Sequence, residues 1–272
     1  MKRFLTISVC VAALCLSAQA GTAKEQDKVP LPPEKMHEKS HEAKHEAGKP
    51  VHWGYMGKES PYNWGDLDPA YEACKMGQTQ SPVNLDGGLD IDLPEIVLSY
   101  NPVPLSVVNN GHTVQQNYKP GSLMSVGGKK EYELMQVHFH TPSEHLIRGM
   151  AAPMEAHFVH KAKDGTIAVL GVMMRIGREN ESLQKVWSVI PPAGETSENK
   201  DVGINARNLL PANLDYYRYD GSLTTPPCTE GVKWYVLQTP IEISEDQFRA
   251  FRKLFPVNAR PVQPLNQRGF FK

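Results

Sequence analysis

Cysteine is scarce in this 272-residue chain: there are 4, and only Cys74 and Cys228 lie beyond residue 20. That rules out a disulfide-dense mini-scaffold and a multi-cysteine metal cluster. An excess of charge is also missing. Lys plus Arg number 29 against 30 Asp plus Glu, a net charge of −1, so no nucleic-acid footprint is present. The apolar run Phe4–Leu16 falls short of the ~20 residues that a membrane-spanning helix needs, so no stable membrane insertion is expected. No internal repeat occurs, and residues 51–272 contain no His-Glu-x-x-His stretch, which removes the common zinc-peptidase arrangement from that part; residues 21–50 hold two overlapping ones, His37 to His41 and His41 to His45, in a run of Lys and Glu.

The chain that is present falls into three parts. Lys2 and Arg3, the run Phe4–Leu16 and then Ala18-Gln19-Ala20 have the pattern of a secretory signal peptide over residues 1–20. Its removal takes two basic residues and leaves a net charge of −3. Residues 21–50, rich in Lys, Glu and His, form a charged linker, expected to be flexible. His37, His41 and His45 recur there at every fourth residue and would form one stripe on a helix. Residues 51–272 are enough for one domain with a large core. In an exported protein the remaining pair, Cys74 and Cys228, reads as one disulfide, with two buried thiols as the alternative.

Within that domain short apolar stretches alternate with Gly, Pro and Asn: Glu95 to Tyr100, Leu105 to Val108, His112 to Asn117, Ile167 to Ile176 and Gly231 to Gln238. Helical spacing is limited to Glu181 to Ile190 and to a segment opened by the capping box Ser244-Glu245-Asp246-Gln247 and running to Leu254. The expected class is mainly β (α+β), a single domain with short peripheral helices.

The chemistry concentrates between residues 136 and 160. Gln136-Val137-His138-Phe139-His140 and Glu155-Ala156-His157-Phe158-Val159-His160 both alternate as strands do. Residues two apart share a face, so Gln136, His138 and His140 point one way, and Glu155, His157 and Val159 share a face on the second strand. If the two pair antiparallel, three imidazoles converge, flanked by an amide and a carboxylate. Three imidazoles with an open fourth position suit catalytic zinc, although copper, iron and nickel fit the donor chemistry as well. Gln136 and Glu155, each two residues before a His, are placed to orient its ring.

Taken together, several motifs resemble the α-class carbonic anhydrases of the bacterial exported type. They are Gln80-Ser81-Pro82-Val83-Asn84, Asn109-Asn110-Gly111-His112, Gln136 to His140, Ser143-Glu144-His145, Glu155 to His160, Gly221 to Pro227 and Arg260 to Leu265. The resemblance runs from His52 to Arg268 and leaves the linker out. It implies a large twisted, mostly antiparallel sheet and reversible hydration of carbon dioxide to bicarbonate by zinc-bound hydroxide, with esterase side activity. One Zn2+ per chain on His138, His140 and His157 is implied, with Gln136, Glu155 and the carbonyl of Asn258 behind them. It also implies Glu144 and Thr224 as catalytic residues, His112 as proton shuttle, and a pocket of Val159, Val169, Leu223, Thr225, Val232 and Trp234. A Cys74–Cys228 disulfide, a periplasmic or secreted location and a possible homodimer complete what it implies. From the residues alone, His112 beside the Asn110-Gly111 turn is simply exposed, and the apolar pocket residues pass as core. The readings kept beside it are another zinc hydrolase and a non-catalytic zinc-binding module on the same fold.

Overall fold

The structure is a computed structural model that describes residues 51–272. The signal-peptide and linker readings, with His37, His41 and His45, fall on residues that lie outside the described ones.

The first strands are β1 (Asn84–Leu85), β2 (Ile96–Ser99), β3 (Val103–Asn109), β4 (Val114–Asn117) and β5 (Leu123–Val126). The middle of the chain supplies β6 (Lys130–His140), β7 (Leu146–Ile147), β8 (Met154–Lys161) and β9 (Ile167–Ile176). Four more follow: β10 (Glu195–Ile204), β11 (Tyr216–Ser222), β12 (Glu230–Leu237) and β13 (Ile241–Ile243). Eleven of them form one sheet in the order β10-β3-β4-β6-β8-β9-β12-β11, with β13 beside β9 and β5 joining β2 to β6. The pairings are antiparallel except for β12 and β13, which run parallel to β9. β1 and β7 make a separate parallel pair. The helices are short: α1 (Trp64–Leu67), α2 (Ala73–Met76), α3 (Glu181–Trp187) and α4 (Glu245–Leu254).

The alternation of the central strands divides the interior in two. Val137 and Phe139 of β6, Ala156 and Phe158 of β8, and Leu170 and Val172 of β9 enter the larger core. Phe139 is held there edge-to-face against Trp187 of α3, at 4.8 Å between centroids, and Trp187 stacks on Phe251 of α4 at 5.5 Å. The capping box on α4 forms as expected, Ser244 and Gln247 bonding each other's backbone N–H. The opposite face of the same strands carries Gln136, His138, His140, Glu155 and His157. One residue adjusts the parity. A bulge leaves Met135 without a partner across from β8, so Leu134 and Val137, three apart, both reach the same core.

Among the boundaries that differ from the sequence reading, two have a local cause. α3 stops at Trp187 and not at Ile190, because Pro191 disfavours the helical conformation in the residue before it. β4 starts at Val114, because the Asn110 side chain accepts from the N–H groups of His112 (2.9 Å) and Thr113 (2.8 Å) and holds both in the turn. Gly111 in that turn takes φ +83°, which a side chain would oppose.

Candidate metal centre

β6 and β8 pair antiparallel with His138 opposite His157, and the next pair on that face is His140 opposite Glu155. Strand pairing therefore brings the third imidazole to the first two. One nitrogen from each ring lies within 4.8 Å of the others. The second nitrogen of each ring is already committed. His138 Nδ1 donates to Gln136 Oε1 (2.8 Å), His140 Nδ1 to the Asn258 carbonyl (2.7 Å) and His157 Nε2 to Glu155 Oε1 (2.8 Å). All three partners are acceptors, so the bonded nitrogen carries the hydrogen and the other presents a lone pair. Burial pushes all three imidazoles down, His140 to about 4, and the neighbouring rings repel a further proton. They are neutral at pH 7, the state that ligates a metal.

A metal ion fits this arrangement by an independent criterion. His140 Nε2 and Glu144 Oε2 are buried polar atoms without a hydrogen-bond partner among the described residues, 3.5 Å apart. Such atoms cost about 1–3 kcal/mol each unless something satisfies them. An ion ligated by His140 Nε2 satisfies the first. A second grouping, His145, Glu155 and His157, is also close enough for an ion. Its atoms are spent on each other: Glu155 Oε1 accepts from both rings, and Oε2 accepts from the N–H groups of Glu144 and His145 at 2.9 Å. Burial works to raise the Glu155 carboxyl, but His145 and His157 hold it well below the usual range.

Glu144 is buried, and its Oε1 accepts from the backbone N–H of Arg260 at 2.8 Å. Burial pushes its carboxyl up to about 7, against the pull of His157, the Arg260 N–H and the Thr224 hydroxyl. A divalent cation beside it acts in the same direction as those three and favours the ionised form. Thr224 is buried and Thr225 half-buried; the Thr225 carbonyl accepts from Cys228 N–H at 2.8 Å and closes their loop. Val159, Val169, Leu223, Val232 and Trp234 belong to one apolar cluster, and the Trp234 ring sits 4.9 Å from that of His157. Gly171 faces His157 across the β8–β9 pair; a Cβ there would lie 3.1 Å from Glu155 Oε1, so glycine leaves room for that carboxylate.

His112 is half-buried and stacks on Trp53 at 3.7 Å, with His52 6.2 Å away. Burial and the His52 charge lower its pKa. His160 stands on the other side of β8, where its Nε2 bonds Tyr100 OH at 2.6 Å. The Cys74–Cys228 disulfide forms and joins α2 to the Thr224 loop. Residues that sequence reasoning passed over also converge. His145 Nε2 bonds Tyr219 OH (2.6 Å), which donates to Ser81 Oγ (2.8 Å), extending the chain behind His157 across three segments. No spacing in the sequence signals this, because the partners are 74 and 138 residues apart.

Fold and site together define the class: one large sheet that presents three neutral imidazoles to a common point, an arrangement compatible with a metal ion. The family within that class follows from comparison with known proteins: residues 59–272 match the eukaryotic-type carbonic anhydrase model, and the chain belongs to that family. It is 44% identical over 226 residues to a carbonic anhydrase of Nostoc sp., covering 81% of this chain and 85% of the relative. A carbonic anhydrase of Neisseria gonorrhoeae is 46% identical over 224 residues, with 81% and 88% covered. The solved α-carbonic anhydrase of Thermovibrio ammonificans, in complex with the inhibitor sulfanilamide, matches with a TM-score of 0.80 at 46% identity, covering 82% of this chain and all of that one. The family is zinc-dependent, and the histidine cluster is compatible with that metal.

Proposed function

We propose that this protein is a zinc carbonic anhydrase that hydrates carbon dioxide reversibly to bicarbonate and a proton. The observation that carries the reading is the set His138, His140 and His157, each with one nitrogen spent on an acceptor and the other free toward a common point. One zinc per chain held there would supply the Lewis acidity that makes a hydroxide nucleophile available at neutral pH.

The protein's own groups then do the following. Gln136, the Asn258 carbonyl and Glu155 fix the three rings. An ionised Glu144 only accepts, so a Thr224 hydroxyl beside it donates to it; the Thr224 oxygen is left to accept from a nucleophile that still carries hydrogen. This selects the protonation state of the attacking oxygen and fixes its direction. Val159, Val169, Leu223, Val232 and Trp234 offer an apolar wall to an uncharged, weakly polar substrate, and Thr225 is assigned to contact substrate or product. His112, neutral at pH 7 and half-exposed, accepts the proton released in each turnover and passes it to solvent.

The reading is tested by stopped-flow hydration of carbon dioxide with zinc measured on the same sample. Rapid hydration with zinc bound supports it, whereas bound zinc without hydration defeats it. Thr224→Val is expected to lower kcat/KM about 100-fold, the scale of a misaligned attack, with zinc content retained. Export to the periplasm or beyond is part of the proposal, supported by the Phe4–Leu16 run, Ala18-Gln19-Ala20 and the disulfide. Expressed with its leader in a Gram-negative host, the recovered protein should begin at Gly21 on N-terminal sequencing.

A further inference from the structure

Asn258 follows α4, 118 residues from His140 in sequence, and is 1% exposed. Its carbonyl holds the ring of His140, but its carboxamide is used as fully. Both amide hydrogens are donated, one to the His112 carbonyl and one to the Phe139 carbonyl, each at 2.9 Å. Oδ1 accepts from Thr141 N–H at 2.7 Å, which fixes the orientation of the amide, because the reverse would set N–H against N–H. One side chain thus grips the backbone on both sides of His140 and, 146 residues away in sequence, the backbone of His112. A second tie runs parallel to it: Thr113 Oγ1 donates to the Phe139 carbonyl at 2.5 Å and accepts from Phe139 N–H at 3.2 Å.

We propose that the Asn258 carboxamide is a positioning residue that fixes the His112 turn relative to the ligand strand, and so sets the reach of proton transfer. Without it the turn keeps the bonds of Asn110, which lie within the turn only, the Thr113 tie, the bonds of Asn109 to the Pro191 carbonyl and the Gly194 N–H, and the stack of His112 on Trp53; of these only the Thr113 tie reaches the ligand strand. The inference rests on the carbonic anhydrase reading for its kinetic part and not for its structural part.

The test compares the zinc-loaded wild-type enzyme with Asn258→Ala, which keeps the backbone carbonyl on His140. Zinc content is expected to hold, and kcat in weakly buffered solution should fall about tenfold more than kcat/KM does, part of the ~10²–10⁴-fold that proton transfer contributes. Added imidazole, a diffusible base that replaces a displaced His112, should restore kcat. His112→Ala/Asn258→Ala should have the kcat of His112→Ala, since the two residues act as one unit. Hydrogen exchange of the 109–113 turn should accelerate in Asn258→Ala relative to β8. A parallel fall of kcat and kcat/KM, indifference to imidazole, or full additivity in the double variant overturns the proposal. If Asn258→Ala does not fold, Thr113→Val decides: it cuts the parallel tie, and a kcat loss rescued by imidazole supports the proposal while its absence overturns it. A wild-type enzyme that does not hydrate carbon dioxide defeats the functional reading, and unchanged exchange in the turn defeats this one.

Discussion

His140→Ala is expected to lose its zinc and with it all hydration of carbon dioxide above the solvent rate. His140 is 1% exposed, and its free Nε2 has no partner among the described residues. Removing the ring leaves two imidazoles, too few to hold an ion in an open site. The affinity loss should exceed the ~10–100-fold that follows removal of a residue merely orienting a ligand. The substitution also leaves the Asn258 carbonyl without the donor that met it at 2.7 Å, at a cost of about 1–3 kcal/mol, which a domain of this size survives. Zinc quantification, stopped-flow hydration and a thermal melt on one preparation check all three points. The variant also discriminates between the two groupings on β8. Zinc retained in folded His140→Ala would place the ion at His145, Glu155 and His157 and defeat the assignment.

Cys74→Ser/Cys228→Ser should cost about 4–5 kcal/mol of stability, because the bond closes a loop across 154 residues and its loss frees that much of the unfolded chain. For a domain of this length that corresponds to a fall in Tm of roughly 10–20 °C. The effect should not be confined to stability. Cys228 lies four residues past Thr224, its N–H closes the Thr225 turn, and the Cys74 carbonyl accepts from Arg260 Nη2 at 2.8 Å. Arg260 in turn supplies the backbone N–H that holds Glu144. Loosening this end should therefore lower kcat/KM at temperatures where the variant is still folded. Melting curves and hydration rates with and without reductant test both parts. A Tm change of only a few degrees would mean that Arg260, bonded also to Gln80 and the Ser81 carbonyl, holds the loop unaided.

Much of the site could be read from residues 136–160 because each ligand strand has a strict two-residue period and because each orienting residue, Gln136 or Glu155, lies two positions before its histidine on the same face. The α4 helix was legible for a similar local reason, the reciprocal Ser244–Gln247 bonds. β10 was not: Glu195–Ile204 is a mostly exposed edge strand, polar on both faces, and carries no alternation to detect. α1 and α2, four residues each, are too short for a helical period to show. The stack of Trp53 on His112, the Tyr219–Ser81 extension and the Arg260 contacts join segments with no fixed spacing, so nothing local announces them.

By itself, the sequence determined which donors are available, that His138 and His140 share a face, that Val137 and Phe139 anchor the opposite one, and that a single disulfide was open to the chain beyond residue 20. The tertiary structure decided that His157 meets that pair, through the β6–β8 register and the bulge at Met135. It also decided which nitrogen of His140 is free, because the acceptor that fixes the ring is a carbonyl 118 residues away. Side-chain periodicity is a property of one strand and is written in its residues. Register, ring orientation and the proton inventory of a buried site depend on groups that only folding brings within 3 Å, the reach of a hydrogen bond.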